Sequence, residues 1–283
     1  MRRTAAEVPG VAARRRFLVV LAVVAAGCGG ADAVDERRAD PPPVKRTPAP
    51  RTDPAAIAAR ANVPVLTYHQ IRRPTEADGA QARPYIVSPE AFAEQMSALD
   101  RGGYKTVTGD ALVSHVARGT PLPRKPVLLT FDDATAGQYT RALPVLRRHR
   151  YVATFFIMTV VLGKPDWLSR GQVRALDRAG MTIAGHTWDH KAVPEYSGVQ
   201  WLKQLDEPKR ELEKLVGHPI RLFAYPFGLT DRRAPLQLRR AGFTAAFQLA
   251  DKLDRREPLF TIRRIIVPGW TGSQLLREMR RDF

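Results

Sequence analysis

The chain has 283 residues, 45 of them basic and 28 acidic, for a formal net charge of +17. That length admits one large α/β domain or two small ones, and an apolar fraction of 44% excludes wholesale disorder. A single cysteine, Cys28, excludes an intramolecular disulfide and any cysteine cluster for zinc.

The first segment reads as an address rather than as fold. Arg14-Arg15-Arg16 precedes a short apolar stretch, 17–26, and then Gly27-Cys28-Gly29-Gly30. A basic start, a brief apolar core and small residues describe a secretory signal over 1–28, too short for an ordinary membrane-spanning helix. Ala25-Ala26-Gly27-Cys28 resembles a bacterial lipobox, which implies an exported lipoprotein held to the membrane through Cys28. Arg14-Arg15-Arg16-Phe17-Leu18 also resembles a twin-arginine signal, and a plain basic leader fits it equally. Residues 29–62 are rich in Pro, Asp, Arg and Ala without an apolar period, and are expected to be a disordered tether.

From residue 63 onward, short apolar runs alternate with amphipathic stretches. Strands are expected at 63–68, 106–107, 127–131, 153–157, 181–184, 222–225, 244–247 and 261–267. Helices are expected from Ser88-Pro89-Glu90 to Gly102-Gly103, and at 110–118, 136–148 and 171–178. Further helices are expected at 201–216, 235–240 and 273–281, with Pro144 and Pro208 inside two of the set. The βα alternation predicts one α/β domain over 63–283, a distorted or incomplete parallel (β/α) barrel, with a doubly wound open sheet as the alternative. No Gly-rich phosphate loop follows a strand, which speaks against nucleotide binding. The positive charge lacks zinc-finger spacing or an aromatic-rich sheet motif, so nucleic acid is not the expected partner. Anionic headgroups or wall polymers suit it better, and an Arg-rich composition without function accounts for it as well.

Two places carry chemistry. The apolar run 127–131 ends in Asp132-Asp133, and a strand apolar on both faces belongs inside a parallel sheet. Its C-terminal end lies where α/β folds place their sites, so one acid can hold a metal while the other takes a proton. A turn or helix cap is the structural alternative for the pair. Gly185-His186-Thr187-Trp188-Asp189-His190 follows the strand at 181–184, and histidines four apart share one face of a helical turn, a metal-ligand spacing. Two histidines and one carboxylate leave coordination positions open, as in catalytic zinc sites.

With these residues in view, the chain resembles the polysaccharide deacetylases, the NodB-homology domain of carbohydrate esterase family 4. Thr130-Phe131-Asp132-Asp133 resembles the family's Thr-Phe-Asp-Asp-Gly, and His186-Thr187-x-x-His190 its His-Ser/Thr-x-x-His. The resemblance covers about residues 63–283 and implies a distorted (β/α) barrel. It implies that Asp132 is the general base and that Asp133, His186 and His190 hold a divalent metal, zinc being the first choice. Ala134 stands where the family has Gly. Ala224-Tyr225-Pro226-Phe227-Gly228 replaces Arg-x-Pro-Tyr-Gly, a variant similar to the biofilm poly-N-acetylglucosamine deacetylase branch. There the opening segment is the permuted counterpart of a late Leu-x-His motif, which here points to His69, after Leu66, as catalytic acid. Arg263 or Arg264 could supply the charge missing at Ala224; adjacent strand residues face opposite ways, and Arg264 is the choice.

The expected reaction is metal-dependent removal of N-acetyl groups from an amino-sugar polysaccharide of the envelope or biofilm matrix. Asp132 takes a proton from water, the Phe227 N–H helps to hold the oxyanion, and His69 protonates the leaving amine. Tyr225 and Phe227, with Trp188 and Trp270, are candidates to stack on sugar rings. His115, His149 and His218 are expected to face solvent. An O-acetyl esterase on a wall or plant polymer and an inactive glycan-binding lipoprotein are the competing expectations.

Overall fold

A computed structural model describes residues 53–249 and 252–283. The signal, the lipobox at Cys28 and the tether up to residue 52 lie outside the described residues. The tether's last part does not behave as one. Asp53 caps helix α1 (Pro54–Arg60), its carboxylate accepting from Ala55 N–H at 3.0 Å, and Ile57 and Ala61 are buried. Alanine-rich sequence with one apolar residue shows too little period to be read as a packed helix. What settles it here is burial against the domain.

Strand β1 (Val65–Tyr68) follows, then two-residue strands β2 (Gln70–Ile71) and β3 (Ile86–Val87), paired in a small sheet of their own. Helix α2 (Pro89–Arg101), with Ser88 as cap and proline in its first turn, strand β4 (Lys105–Thr106) and helix α3 (Gly109–Arg118) lead to β5 (Pro126–Phe131). A π-helical turn, Gln138–Ala142, runs into α4 (Leu143–His149), followed by β6 (Thr154–Ile157), α5 (Arg170–Arg178) and β7 (Thr182–Gly185). A second π-helical turn, Leu202–Asp206, opens α6 (Glu207–Val216). Strand β8 (Leu222–Ala224), helix α7 (Ala234–Arg240), strands β9 (Ala245–Phe247) and β10 (Ile265–Ile266) and helix α8 (Gly272–Asp282) complete the chain.

Every ladder is parallel, in the order β10-β1-β5-β6-β7-β8-β9, with β4 beside the start of β5. The expected strand at 261–267 is mostly a crossing. Ile262 makes one bridge to Phe247, and only Ile265 and Ile266 pair with β1. The segment thus touches both edges of the sheet without laddering along both. The result is a curled parallel sheet, a distorted and incomplete (β/α) barrel, as the βα alternation predicts.

Strand alternation divides the apolar residues into two clusters. Leu66, Tyr68, Leu129, Phe131, Phe155 and Ile157 pack outward among residues of the surrounding helices such as Phe92, Met96 and Leu146. Val65, Leu128, Phe156, Ala184, Leu222, Ala224 and Phe247 face inward, and share their cluster with Ile57 of α1 and Leu112, Val113 and Val116 of α3. These two helices therefore cover the end of the barrel at which the strands start. The opposite end, where the strands finish, is left for a site.

Candidate active site

Parity carries the site residues inward. On β5, Leu128 points into the barrel, and Thr130 and Asp132 follow at intervals of two; beyond β7, His186 continues the inward series of Ala184. Asp132 is 2% exposed and Arg264 is fully buried. The guanidinium forks onto the carboxylate, Nη1 donating to Oδ1 at 2.7 Å and Nη2 to Oδ2 at 2.9 Å. Its Nε donates to the Gln248 carbonyl at 3.1 Å, and its Cζ lies 5.1 Å from the Phe156 ring centre. This bidentate geometry, with the third donor side also bonded, is what lets a charge pair survive burial. Burial pushes the Asp132 carboxyl up, but the Arg264 charge, with His186 and His69, outweighs it and holds the pKa below the ordinary carboxylate value. Arg263 turns away, donating to the Asp282 carbonyl at 3.2 Å. The charge absent at Ala224 is therefore present, delivered from the crossing before β10.

Asp133 leaves the strand with a φ of 75° and Ala134 follows at 72°, both left-handed. The second value explains why glycine would suit position 134; alanine holds it with its methyl buried. The left-handed turn aims Asp133 across to the loop after β7. There the expected helical turn is absent: residues 186–190 form an irregular loop with Thr187 and His190 both at a φ of 68°. Thr187 Oγ1 accepts from the His190 N–H at 2.9 Å and fixes the loop. The imidazoles still meet, ring centres 4.9 Å apart. His186 Nε2 and His190 Nε2 each lie 3.4 Å from Asp133 Oδ1, and one ligand atom from each of the three residues falls within 4.8 Å of the others.

The donor set fits a divalent metal. His186 Nδ1 pairs with the Ala224 carbonyl at 2.8 Å, which places the proton there and turns the Nε2 lone pair toward Asp133. His186 Nε2 and Asp133 Oδ1 are buried and make no hydrogen bond. Two orphaned acceptors converging with a second imidazole, that of His190, are what a cation would satisfy. Burial, then the neighbouring His186, lowers the His190 pKa to about 4, so its ring offers a lone pair at neutral pH.

On the other side of Asp132 stands His69, its Nε2 3.9 Å from Asp132 Oδ2. Burial lowers its pKa while the charges of Asp132 and Asp133 work against that. A cavity of about 260 Å³ joins His69, Asp132, Asp133, His186 and His190. It is rimmed by Tyr85, edge-on to His69 at 4.8 Å, and by Phe227, edge-on to His190 at 4.5 Å and 59% exposed. A second cavity of about 450 Å³ adjoins it at Asp133 and runs past Gln70, Arg141 and Trp167.

Not all the expected stacking residues have a free ring. Tyr225 is 1% exposed with its hydroxyl donating to the Phe260 carbonyl at 3.0 Å, so it closes the cavity wall and offers no open face. Trp188 has the Lys203 ammonium 3.8 Å over its ring, Trp270 packs on the outer core, and neither lines this cavity. Phe227, held at a φ of 58°, is presented to the cavity. The turn's own bonds, Gly228 N–H to Tyr225 and Leu229 N–H to Pro226, do not use the Phe227 N–H. His115 and His149 are half-buried, and exposed His218 pairs with Asp177 at 2.7 Å. Sequence reasoning missed Tyr85, in a loop without period, and Gln138, whose amide donates to the Asp132 carbonyl. No sequence pattern marks either.

Fold and site together define an α/β-barrel protein with a carboxylate–histidine centre where the strands end. Residues 119–246 match the family model for polysaccharide deacetylase, and the chain carries a polysaccharide deacetylase domain, that of a deacetylase hydrolase. It is 24% identical over 210 residues to the poly-beta-1,6-N-acetyl-D-glucosamine N-deacetylase of Staphylococcus aureus, covering 66% of this chain and 72% of that one. The structure of IcaB from Ammonifex degensii superposes with a TM-score of 0.65 at 25% identity, over 78% of this chain and 96% of its own. The Streptococcus pyogenes deacetylase PplD reaches 0.70 at 23% identity, over 77% and 97%, a likeness of fold.

Proposed function

We propose that this deacetylase removes N-acetyl groups from an amino-sugar polymer of the poly-N-acetylglucosamine type, with a divalent metal, zinc first, at Asp133, His186 and His190. The observation that carries this is the convergence of that ligand set with an arginine-held Asp132 and with His69 around one cavity. The named activity of the Staphylococcus aureus relative supports the polymer class.

A metal bound there supplies Lewis acidity at the acetyl oxygen and eases the ionisation of water. Asp132 takes the proton of the attacking water, and Arg264 keeps its carboxylate ionised and fixed in orientation. The Phe227 N–H sits in the turn that rims the cavity, where it can donate to the developing oxyanion. His69 delivers a proton to the nitrogen as the carbon–nitrogen bond breaks, so that amine leaves and acetate remains. The low proton affinity that burial gives its ring makes the protonated form a strong acid. Tyr85 and Phe227 both line the cavity, where their rings can contact the sugar.

Export through the segment 1–28 and anchoring at Cys28 would bring the domain to such a polymer outside the cytoplasm. Among the described residues no helix is long and apolar enough to cross a membrane. The test is to measure bound metal and acetate release from N-acetylglucosamine oligomers and from acetylated xylan. About one metal per chain is expected, with release from the amino sugar. Undiminished release by Asp132→Asn and His186→Ala, or release from the xylan alone, would overturn the proposal.

A further inference from the structure

The two groups assigned to move protons, Asp132 and His69, belong to different strand ends, and a single buried side chain ties them together. Gln138 is fully buried, six residues after Asp132 in the π-helical turn. Its Nε2 donates to the His69 carbonyl at 2.9 Å and to the Asp132 carbonyl at 2.5 Å. Thr135 Oγ1 adds a bond to the same His69 carbonyl at 3.1 Å. The amide orientation follows from its surroundings, since Oε1 in place of Nε2 would set three carbonyl oxygens against one another. Both amide protons are used while Oε1 is left buried without a partner. A side chain selected only to fill space would not carry that unpaired oxygen.

The backbone is shaped to deliver it. A π-turn adds a residue to the helical circuit and redirects side chains, a device concentrated at functional sites. Gly137 lets the turn press on β2: a Cβ there would stand 2.2 Å from the Ile71 carbonyl oxygen. The strand-end carbonyls of His69 and Asp132 have no ladder partner of their own among the bonds described, so this amide takes their place.

We propose that Gln138 is a positioning residue that fixes the separation of His69 from Asp132, and so governs leaving-group protonation in this deacetylation. The inference rests on the assignment of those two residues as acid and base. Its signature is a dependence on the leaving group. An amine must be protonated to depart, whereas the phenolate of an aryl acetate leaves unaided, and both acetyl transfers use the same water and the same base.

The test compares wild type, Gln138→Met and Gln138→Asn on an N-acetylglucosamine oligomer and on an aryl acetate, with bound metal and melting temperature measured alongside. Methionine keeps the volume and removes both donors; asparagine is one methylene shorter and reaches at most one carbonyl, so it serves if the first variant does not fold. We expect amide kcat to fall about a hundredfold with KM unchanged, as for an ångström-scale misplacement. Aryl acetate turnover should stay within about threefold, and metal content should be unchanged. Equal losses on both substrates, loss of metal, or full amide activity in a folded variant would overturn the inference. A wild type inactive on both substrates would instead overturn the proposed function.

Discussion

At the scale of single residues the site is organised around one buried ion pair. Arg264 is the foremost of the charges that hold the Asp132 pKa below its ordinary value, so removing the guanidinium leaves a buried carboxyl without its ion-pair partner. Arg264→Leu is expected to cost about 3–5 kcal/mol, the usual penalty for breaking a buried pair, measured by denaturant unfolding. Its pH dependence should change sign. In the wild type the folded pKa of Asp132 is depressed, so its contribution is present above the unfolded value of about 4 and lost as pH falls through the folded value. Without Arg264 burial dominates and raises the folded pKa, so the variant should gain stability on acidification from pH 8 toward 5, where the wild type is flat. A variant whose melting temperature is equally flat would contradict this account of Asp132. Phe227→Ala is expected to raise KM for a sugar oligomer severalfold with a smaller change in kcat, since a stacking contact of about 0.5–1.5 kcal/mol is lost. Among the described residues, five of the eight non-glycine positions with left-handed backbone, Asp133, Ala134, Thr187, His190 and Phe227, belong to this one region. Strain gathered in this way marks where the fold gives up local preference for geometry.

At the scale of elements, the sequence disclosed what periodicity and punctuation can disclose. The run 127–131 is a strand because it is apolar on both faces, and α2 starts where Ser88-Pro89 says it should. The Asp-Asp and His-x-x-x-His pairs are legible as a candidate ligand set because metal chemistry restricts residue type and spacing. What stayed hidden depends on tertiary contact. The expected helix at 136–148 contains the π-helical turn that aims Gln138, and the loop bearing His186 and His190 relies on left-handed residues that no pattern announces. Parity says that only one of Arg263 and Arg264 can face the site; that it is Arg264 which meets Asp132, and the crossing that carries it, follow from tertiary contact. Helix α1 was invisible because seven residues of low amphipathicity look like linker. Its membership of the domain is testable: Ile57→Asp should lower unfolding free energy by about 1.5–3 kcal/mol or more, as the burial of one isoleucine requires. Acetate release at low temperature should be unaffected, because α1 lies at the opposite end of the barrel. An unchanged melting temperature would return α1 to the tether.

At the scale of the whole molecule, the proposed metal site joins loops from two strands, β5 and β7, so occupancy should be felt globally. A cation that binds only the folded state stabilises by mass action, about 2.7 kcal/mol at a hundredfold excess over its dissociation constant. Zinc added to chelator-treated protein should raise the melting temperature, and His190→Ala should abolish most of that increment. An equal response in the variant would place the binding elsewhere. The surplus of basic side chains suits approach to anionic surfaces, a long-range attraction that salt should screen.

The crossing from Ile262 to Ile266 bridges one edge of the sheet, pairs with the other and carries Arg264 between them. The contact between the two sheet edges and the ion pair at Asp132 are thus made by the same short segment. Without that segment the candidate ligand set and both aspartates would remain, yet Asp132 would lack the guanidinium that pairs with it. If Asp132 is the base proposed above, one short segment thus decides both how the two sheet edges meet and how that carboxylate is held.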